Sequence, residues 1–329
     1  MIKGVSVKLI RGTDAFLIAK YAQEVSVLTP LFRTCVAVGM KFSVLLLALA
    51  FHGVLSLKIC SFNIQSFGES KLAKPDTLDV IVKCITRCDI TLVMEIKDAK
   101  EQAFPQLMSH LNSGSKRKTD EYSYIISERL GRKSYKEQYG FIYRRRLVSV
   151  KASYQYPDAH SEDEEAFSRK PFVVWFSSPK TAVKDFVIIP IHTTPELAVR
   201  EIDKLYDVVL DVKDQWATAE NLVIMGDFNA ACGYVPKKQW GNIRLRSNSS
   251  FLWLTDDKVD TTVRETTNCA YDRIVLHGQN MIQAVNPASV EVFDFKEAFG
   301  LTEEEALAVS DHFPVGFTVS APRRKSGRG

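Results

Sequence analysis

The chain has 329 residues of ordinary globular composition, room for one large α/β domain or two small ones. Its formal charge of +4 is carried by the two ends. Residues 1–56 hold six Lys/Arg against two acids, and Arg323, Arg324, Lys325 and Arg328 add four more charges, leaving about −4 for Leu57–Pro322. That balance excludes a general positive field as the means of holding nucleic acid and leaves local patches and metal ions.

Met40–Ser56 has a short basic start, an apolar core too short for a comfortable membrane span, and Val54 and Ser56 placed as the small residues before a cleavage point. It reads as a secretory signal, with Met40 as the working start and residues 1–39 as an upstream or misassigned leader. The competing reading is an internal apolar stretch of a longer leader. Secretion permits disulfides. Of six cysteines Cys35 lies in the leader, and the remaining five leave at least one thiol free or paired between chains. Asn248-Ser-Ser250 is a glycosylation sequon, in keeping with that route.

Beyond the signal, Leu57–Ile64 reads as a strand tipped by Asn63, and Leu78–Cys88 as a helix. Ile90–Ile96 is a second strand, carrying Glu95 inside an apolar run. A lone acid there must be paired or bind a metal. Phe104–Leu111 suits a short helix and Lys116–Lys118 a loop. Tyr122–Ile126 and Tyr139–Tyr143 are strands, and Glu162–Glu165 a solvated acidic loop. Phe172–Phe176 and Phe186–His192 are strands, the latter ending on a histidine. Glu196–Trp216 is the longest amphipathic helix.

It feeds Leu222-Val-Ile-Met-Gly-Asp-Phe-Asn-Ala230, around which the chain is organised. Here a buried strand breaks at Gly226, and alternation sends Asp227 and Asn229 to one side. Gly, Asp and Asn equally suit a plain turn. The recurrence of apolar strands ending in such groups favours a site. Asp272–Leu276 and Phe313–Val319 are the last strands, with Ser310-Asp311-His312 just before the final one. Residues 57–319 show no repeat, linker or composition shift and read as one domain, two packed sheets flanked by helices. Residues 320–329 form a short basic tail.

Asn63, Glu95, His192, Asp227, Asn229, Asp272, Asp311 and His312 all lie at or beside predicted strand ends. Carboxylates and amides of this kind hold Mg²⁺, one histidine can activate water and the other can protonate a leaving oxygen. Jointly they suit attack on a phosphodiester. The chain has no phosphate-binding G-x-x-x-x-G-K-[ST] loop, no G-x-S-x-G elbow and no Cys/His set at zinc spacing.

Cys60–Glu69, Met94–Asp98, Leu130–Glu137, Phe167–Arg169, Pro190–Pro195, Met225–Asn229, Asn268–Arg273 and Ser310–Pro314 together resemble the deoxyribonuclease I family, in order and spacing, over about residues 57–319. The resemblance implies a four-layered α/β sandwich of the endonuclease/exonuclease/phosphatase type, its two sheets mostly antiparallel. It implies a secreted, Ca²⁺/Mg²⁺-dependent endonuclease that cuts double-stranded DNA and chromatin to 5′-phosphate ends, in cell death or in clearance of extracellular DNA. Nuclear access during cell death, a monomeric state and no stable membrane insertion go with it.

By matching position, His192 pairs with Glu137 and His312 with Asp272. Asn63, Glu95, Asp227 and Asp311 match metal and phosphate positions, and Asn229 a phosphate-binding amide. Tyr135, Arg169 and Tyr234 match DNA contacts, as does Lys97, which replaces an arginine and so lacks its planar fork. Cys232 and Cys269 match a structural disulfide, worth roughly 4 kcal/mol on the chain-entropy model. That leaves Cys60, Cys84 and Cys88 as buried or free thiols.

Asp260, Thr262 and Thr267 resemble a calcium loop. Lys170 replaces a glutamate near another calcium site, which would be lost or rebuilt around Glu165. Phe172 replaces a small residue at an actin contact, so actin is expected to bind poorly. The rivals are a sphingomyelinase-like phosphodiesterase, which Tyr135 and Arg169 disfavour, and an inactive DNA-binding relative, which the filled catalytic positions disfavour.

Overall fold

The computed structural model describes residues 56–322 other than 116, 118–120, 133 and 158–165. The leader, the signal up to residue 55, the 162–165 acidic run and the basic charges from Arg323 onward therefore lie outside the described residues.

The first part of the chain supplies β1 (Leu57–Phe67), β2 (Ile90–Ile96), β3 (Tyr122–Ile126) and β4 (Gln138–Arg144). A second sheet takes β5 (Ser149–Gln155), β6 (Phe172–Ser177), β7 (Asp185–His192), β8 (Leu222–Asp227), β9 (Phe251–Trp253) and β10 (Asp272–His277). The chain then returns to the first sheet with β11 (Glu291–Val292) and β12 (Val315–Val319). The orders are β11-β12-β1-β2-β4-β3 and β5-β6-β7-β8-β10-β9. Each sheet is antiparallel except for one central parallel pair, β1 with β2 and β7 with β8.

The helices are α1 (Glu69–Leu72), α2 (Pro75–Thr86), α3 (Ala103–Asn112), α4 (Ala198–Gln215), α5 (Arg244–Ser247), α6 (Gln279–Ala284), α7 (Phe295–Phe299) and α8 (Glu303–Val309). A parallel pair needs a crossover. α2 supplies it in the first sheet and α4 in the second, so each sheet has one βαβ unit at its centre. The open crevice beyond the carboxyl ends of such strands is where α/β folds place their sites.

Three apolar groups make the four layers. Ile59, Leu92, Phe141, Phe176, Ile188, Val223 and Phe317 pack between the sheets. Ile81, Ile85, Phe104 and Leu107 cover the outer face of the first sheet through Val93 and Ile142. Ile202, Leu205 and Val209 cover the second through Ile189 and Ile224. The apolar stripe of α4 matches the 3.6-residue repeat read from the sequence.

Sequence reading gave no strand for β5, β9 or β11. β5 (SVKASYQ) alternates exposed and half-buried positions with little apolar content, and β9 and β11 span three and two residues. All three are edge strands, where pairing on one side does not demand an apolar run. Phe172, expected at a contact surface, is buried between the sheets with its ring 6.4 Å from that of Phe141.

Cys232 and Cys269 are bonded, as the resemblance implied. Cys60 and Cys88 are not free thiols: they form a second disulfide, with Cα atoms 6.1 Å apart. The correction follows from the topology. Cys88 immediately precedes β2, which runs parallel beside β1, so the crossover returns it next to Cys60. Among the described residues Cys84 alone stays free, buried, its thiol pushed up to about 12 by burial. The Cys60–Cys88 loop of 28 residues is worth about 3–4 kcal/mol on the chain-entropy model. A Cys60→Ser/Cys88→Ser variant should lose about that much in urea unfolding, with a raised m-value because the unfolded chain, freed of the crosslink, exposes more surface. A loss under 1 kcal/mol would show that the bridge does not constrain the unfolded chain.

Candidate active site

Register brings the central groups together. His192 ends β7 opposite Asp227 of β8, and Asp227 stands opposite Asp272 of β10. Three neighbouring strands thus place three chemical groups side by side. The first sheet contributes Asn63 of β1, Glu95 of β2, Glu137 just before β4, and Asp311 and His312 just before β12.

The two imidazoles are arranged alike. His192 Nδ1 lies 2.6 Å from Glu137 Oε1, and His312 Nδ1 lies 2.8 Å from Asp272 Oδ2. Their free Nε2 atoms stand 3.6 and 3.5 Å from one oxygen, Asp227 Oδ2. A carboxylate on Nδ1 fixes the tautomer and aims Nε2 at the reacting group. Here both Nε2 atoms come close to the same Asp227 oxygen.

The electrostatics follow from burial and pairing. Burial alone would lower the His312 pKa, but Asp272 and Asp227 outweigh it and hold the imidazole well above its ordinary value. Burial likewise opposes the charge on His192, and Glu137 overcomes it to raise the pKa. Burial pushes Asp227 up, yet His312 and His192 pull it below the usual carboxylate range. Burial dominates at Asp272 and raises it. Carboxylates with oppositely shifted pKa values in one cleft mark an acid/base site.

The backbone is bent where the site needs it. Glu95 has φ 58° and Asn229 φ 47°, left-handed conformations that non-glycine residues seldom adopt. At Glu95 the β1–β2 and β2–β4 registers both shift. The bulge turns the carboxylate to accept from Ser66 N at 2.9 Å and Asn63 Nδ2 at 3.2 Å. Asn63 also donates to Asp227 Oδ2 at 3.2 Å, while its own Oδ1 accepts from Gln65 N. Its amide therefore orients the two carboxylates that flank it. Asn229 donates through Nδ2 to Thr193 O at 3.1 Å.

The donor set suits a hard cation. Asp227, Asp272 and His312 each offer an atom within 4.8 Å of the others. Asp311 Oδ1, Asp272 Oδ1 and Glu137 Oε2 are buried without a hydrogen-bond partner. Orphaned carboxylate oxygens beside Asp227 and Glu95 fit an oxygen-seeking divalent ion and are costly without one.

The flanks carry the remaining residues. Tyr135 is 44% exposed, with Lys97 Nζ 4.1 Å from its ring centroid. Tyr234 is 41% exposed and packs on Tyr271, whose ring in turn lies 6.2 Å from that of His312. Arg169, expected at a DNA surface, is only 7% exposed. It donates to His192 O at 2.8 Å and Thr193 O at 2.7 Å, with Glu137 Oε1 3.2 Å from its Nε. Its geometry holds the His192–Glu137 dyad from behind.

Asp260, Thr262 and Thr267 converge in one loop: Asp260 Oδ1 accepts from Thr262 N and Cys269 N, and Thr262 Oγ1 lies 3.1 Å from Thr267 O. Asn248 is half-buried just beyond α5, its side chain accepting from Ser250 N. Sequence reasoning missed Tyr139, whose hydroxyl accepts from His192 N at 2.9 Å, and Thr261, whose hydroxyl accepts from Asp272 N at 3.2 Å. Tyr139 lies in an apolar strand, where an aromatic residue reads as core.

Residues 60–312 match the sequence profile of the Endonuclease/Exonuclease/phosphatase family. Deoxyribonuclease gamma from Homo sapiens is 60% identical over 279 residues, covering 85% of this chain and 91% of the relative. Deoxyribonuclease-1 from Bos taurus is 47% identical over 285 residues, covering 86% and 99%. The chain belongs to the deoxyribonuclease I family. Its fold is shared more widely. A family protein from Leptotrichia buccalis aligns with TM-score 0.56 at 14% identity, over 80% of this chain and 99% of that one. One from Bacteroides vulgatus aligns with TM-score 0.53 at 15% identity, over 81% and 99%. The two sheets and flanking helices are thus the family's sandwich.

Proposed function

We propose that this member of the deoxyribonuclease I family is a secreted endonuclease that hydrolyses double-stranded DNA, including DNA in chromatin, to 5′-phosphate ends. The observation that carries the reading is the pair of imidazole–carboxylate dyads whose Nε2 atoms flank one Asp227 oxygen at 3.6 and 3.5 Å. One imidazole takes a proton from the attacking water at Nε2, and the other gives a proton to the departing 3′-oxygen. Glu137 and Asp272 keep each ring in the required tautomer and stabilise its cation. Asn229 stands beside the path of the phosphate, and Tyr135 with Lys97 and Tyr234 with Tyr271 flank the cleft where the strands of the substrate would lie. A Mg²⁺ or Ca²⁺ ion held by Glu95, Asp227 and Asp311 would supply charge stabilisation to the phosphate oxygens. The loop of Asp260, Thr262 and Thr267 presents oxygen donors suited to a structural Ca²⁺.

Secretion rests on the Met40–Ser56 signal, on the Asn248 sequon and on two disulfides among the described residues. DNA fragmentation in cell death and clearance of extracellular DNA are the processes such an enzyme would serve. Among the described residues no helix is long and apolar enough to cross a membrane.

The test is nicking of supercoiled plasmid by the purified chain. With Mg²⁺ and Ca²⁺ present, open-circular product with ligatable 5′-phosphate ends is expected, and EDTA should abolish it. Intact plasmid in the presence of a folded chain would refute the reading. Sphingomyelin cleavage in that case would favour the phospholipid alternative.

A further inference from the structure

Lys71 has no part in the chemistry described so far, yet it reaches into its supports. It sits on α1, a single turn after β1, and is half-buried. Its Nζ donates to Gln65 O at 2.6 Å and Val309 O at 2.7 Å, with Ile64 O at 3.5 Å. An ammonium has three donors, and three carbonyls face it.

Those carbonyls belong to two segments far apart in sequence. Ile64 and Gln65 follow Asn63 where β1 leaves its partners: β12 pairs with β1 only as far as Ser61, and the β2 register shifts after Asn63. Val309 is the last residue of α8, whose final carbonyls have no partner within the helix. The next three residues are Ser310, Asp311 and His312. A second tie spans the same junction, because Ser310 Oγ donates to Asn63 O at 2.6 Å and accepts from His312 N at 3.1 Å. Burial draws the Lys71 pKa down to about 8, while Asp311 and Glu95 favour the charged form.

We infer that Lys71 is a positioning residue, a cationic pin that fixes the end of β1 carrying Asn63 against the corner carrying Asp311 and His312. It sets the spacing between Asp311, the Asn63-oriented carboxylates and the His312 imidazole without touching substrate. The activity readout below rests on the proposed hydrolysis of DNA, and the metal readout does not.

The experiment compares wild type, Lys71→Met and Lys71→Arg in the whole chain. Thermal unfolding is recorded with and without Mg²⁺, and plasmid nicking is followed against Mg²⁺ and against DNA. Ligation of Mg²⁺ by the folded chain raises Tm. In Lys71→Met the Mg²⁺ concentration giving half the Tm rise should increase about fivefold, and kcat should fall about tenfold with KM for DNA within about twofold. Lys71→Arg, which keeps charge and donors, should recover most of both.

A Lys71→Met protein of lower Tm but wild-type kcat and Mg²⁺ response would overturn the inference, leaving a purely structural lysine. A rise in KM alone would also overturn it, by making Lys71 a DNA contact. If Lys71→Met does not fold, Lys71→Gln, which keeps two N–H donors and no charge, is measured in the same way with the same deciding outcomes. An inactive wild type whose Mg²⁺-dependent Tm rise is still lost in Lys71→Met would refute the nuclease reading and leave the pin standing.

Discussion

Replacing His192 or His312 by alanine is expected to lower kcat for plasmid nicking by about a thousandfold or more, near the upper part of the range for a positioned acid or base. Each imidazole has its Nδ1 committed to a buried carboxylate and its Nε2 facing the shared Asp227 oxygen. No other histidine ring nitrogen pairs with a carboxylate among the described residues, so neither loss has a substitute close by. The double variant should be little worse than either single one, because groups that act as a unit do not contribute additively. Glu137→Gln and Asp272→Asn remove only orientation and charge support, and a smaller loss of about a hundredfold is expected of each. Tm measured alongside separates chemistry from folding. A folded His192→Ala or His312→Ala protein within tenfold of wild type would remove that residue from the mechanism.

The strand-end residues were legible because strand chemistry is periodic. The apolar run ending in Gly226 and Asp227 announced the end of β8, although the strand runs through both residues and Asn229 beyond it leaves the extended backbone at φ 47°. What convergence required was register, which no local pattern carries: that Asp227 faces both His192 and Asp272 follows from β8 lying between β7 and β10. Glu95 was marked as an acid too costly to bury unaided, but the left-handed turn that swings it toward Asn63 left no signal in a sequence of ordinary strand formers. Arg169 shows the reverse limit. The resemblance implies a DNA contact there, whereas the fold buries the guanidinium on the carbonyls of His192 and Thr193. The Cys60–Cys88 bridge was missed for the same reason as the register, since it depends on which strand the crossover returns beside.

Gly226→Ala tests whether the close approach of β7 and β8 is what holds the site. Gly226 has φ 140°, and a Cβ there would lie 2.0 Å from Ile191 O and 3.1 Å from Ile191 N and C. All three are backbone atoms of the neighbouring strand, so no side chain can rotate away. The strands must part or the local pairing must break, and either outcome moves His192 and Asp227, the adjoining pair in the ladder. A destabilisation of about 3 kcal/mol or more is expected, with kcat of the folded fraction down about a hundredfold from misplacement alone.

Gly300→Ala is the control. That glycine also has positive φ, 64°, but a Cβ there meets nothing within 4 Å. It should cost about 1 kcal/mol as a left-handed helix terminus and leave kcat unchanged. Equal effects of the two substitutions would mean that backbone conformation alone sets the penalty. A Gly226→Ala protein with wild-type kcat would mean that the dyads keep their geometry by side-chain pairing, without the strand contact beneath them.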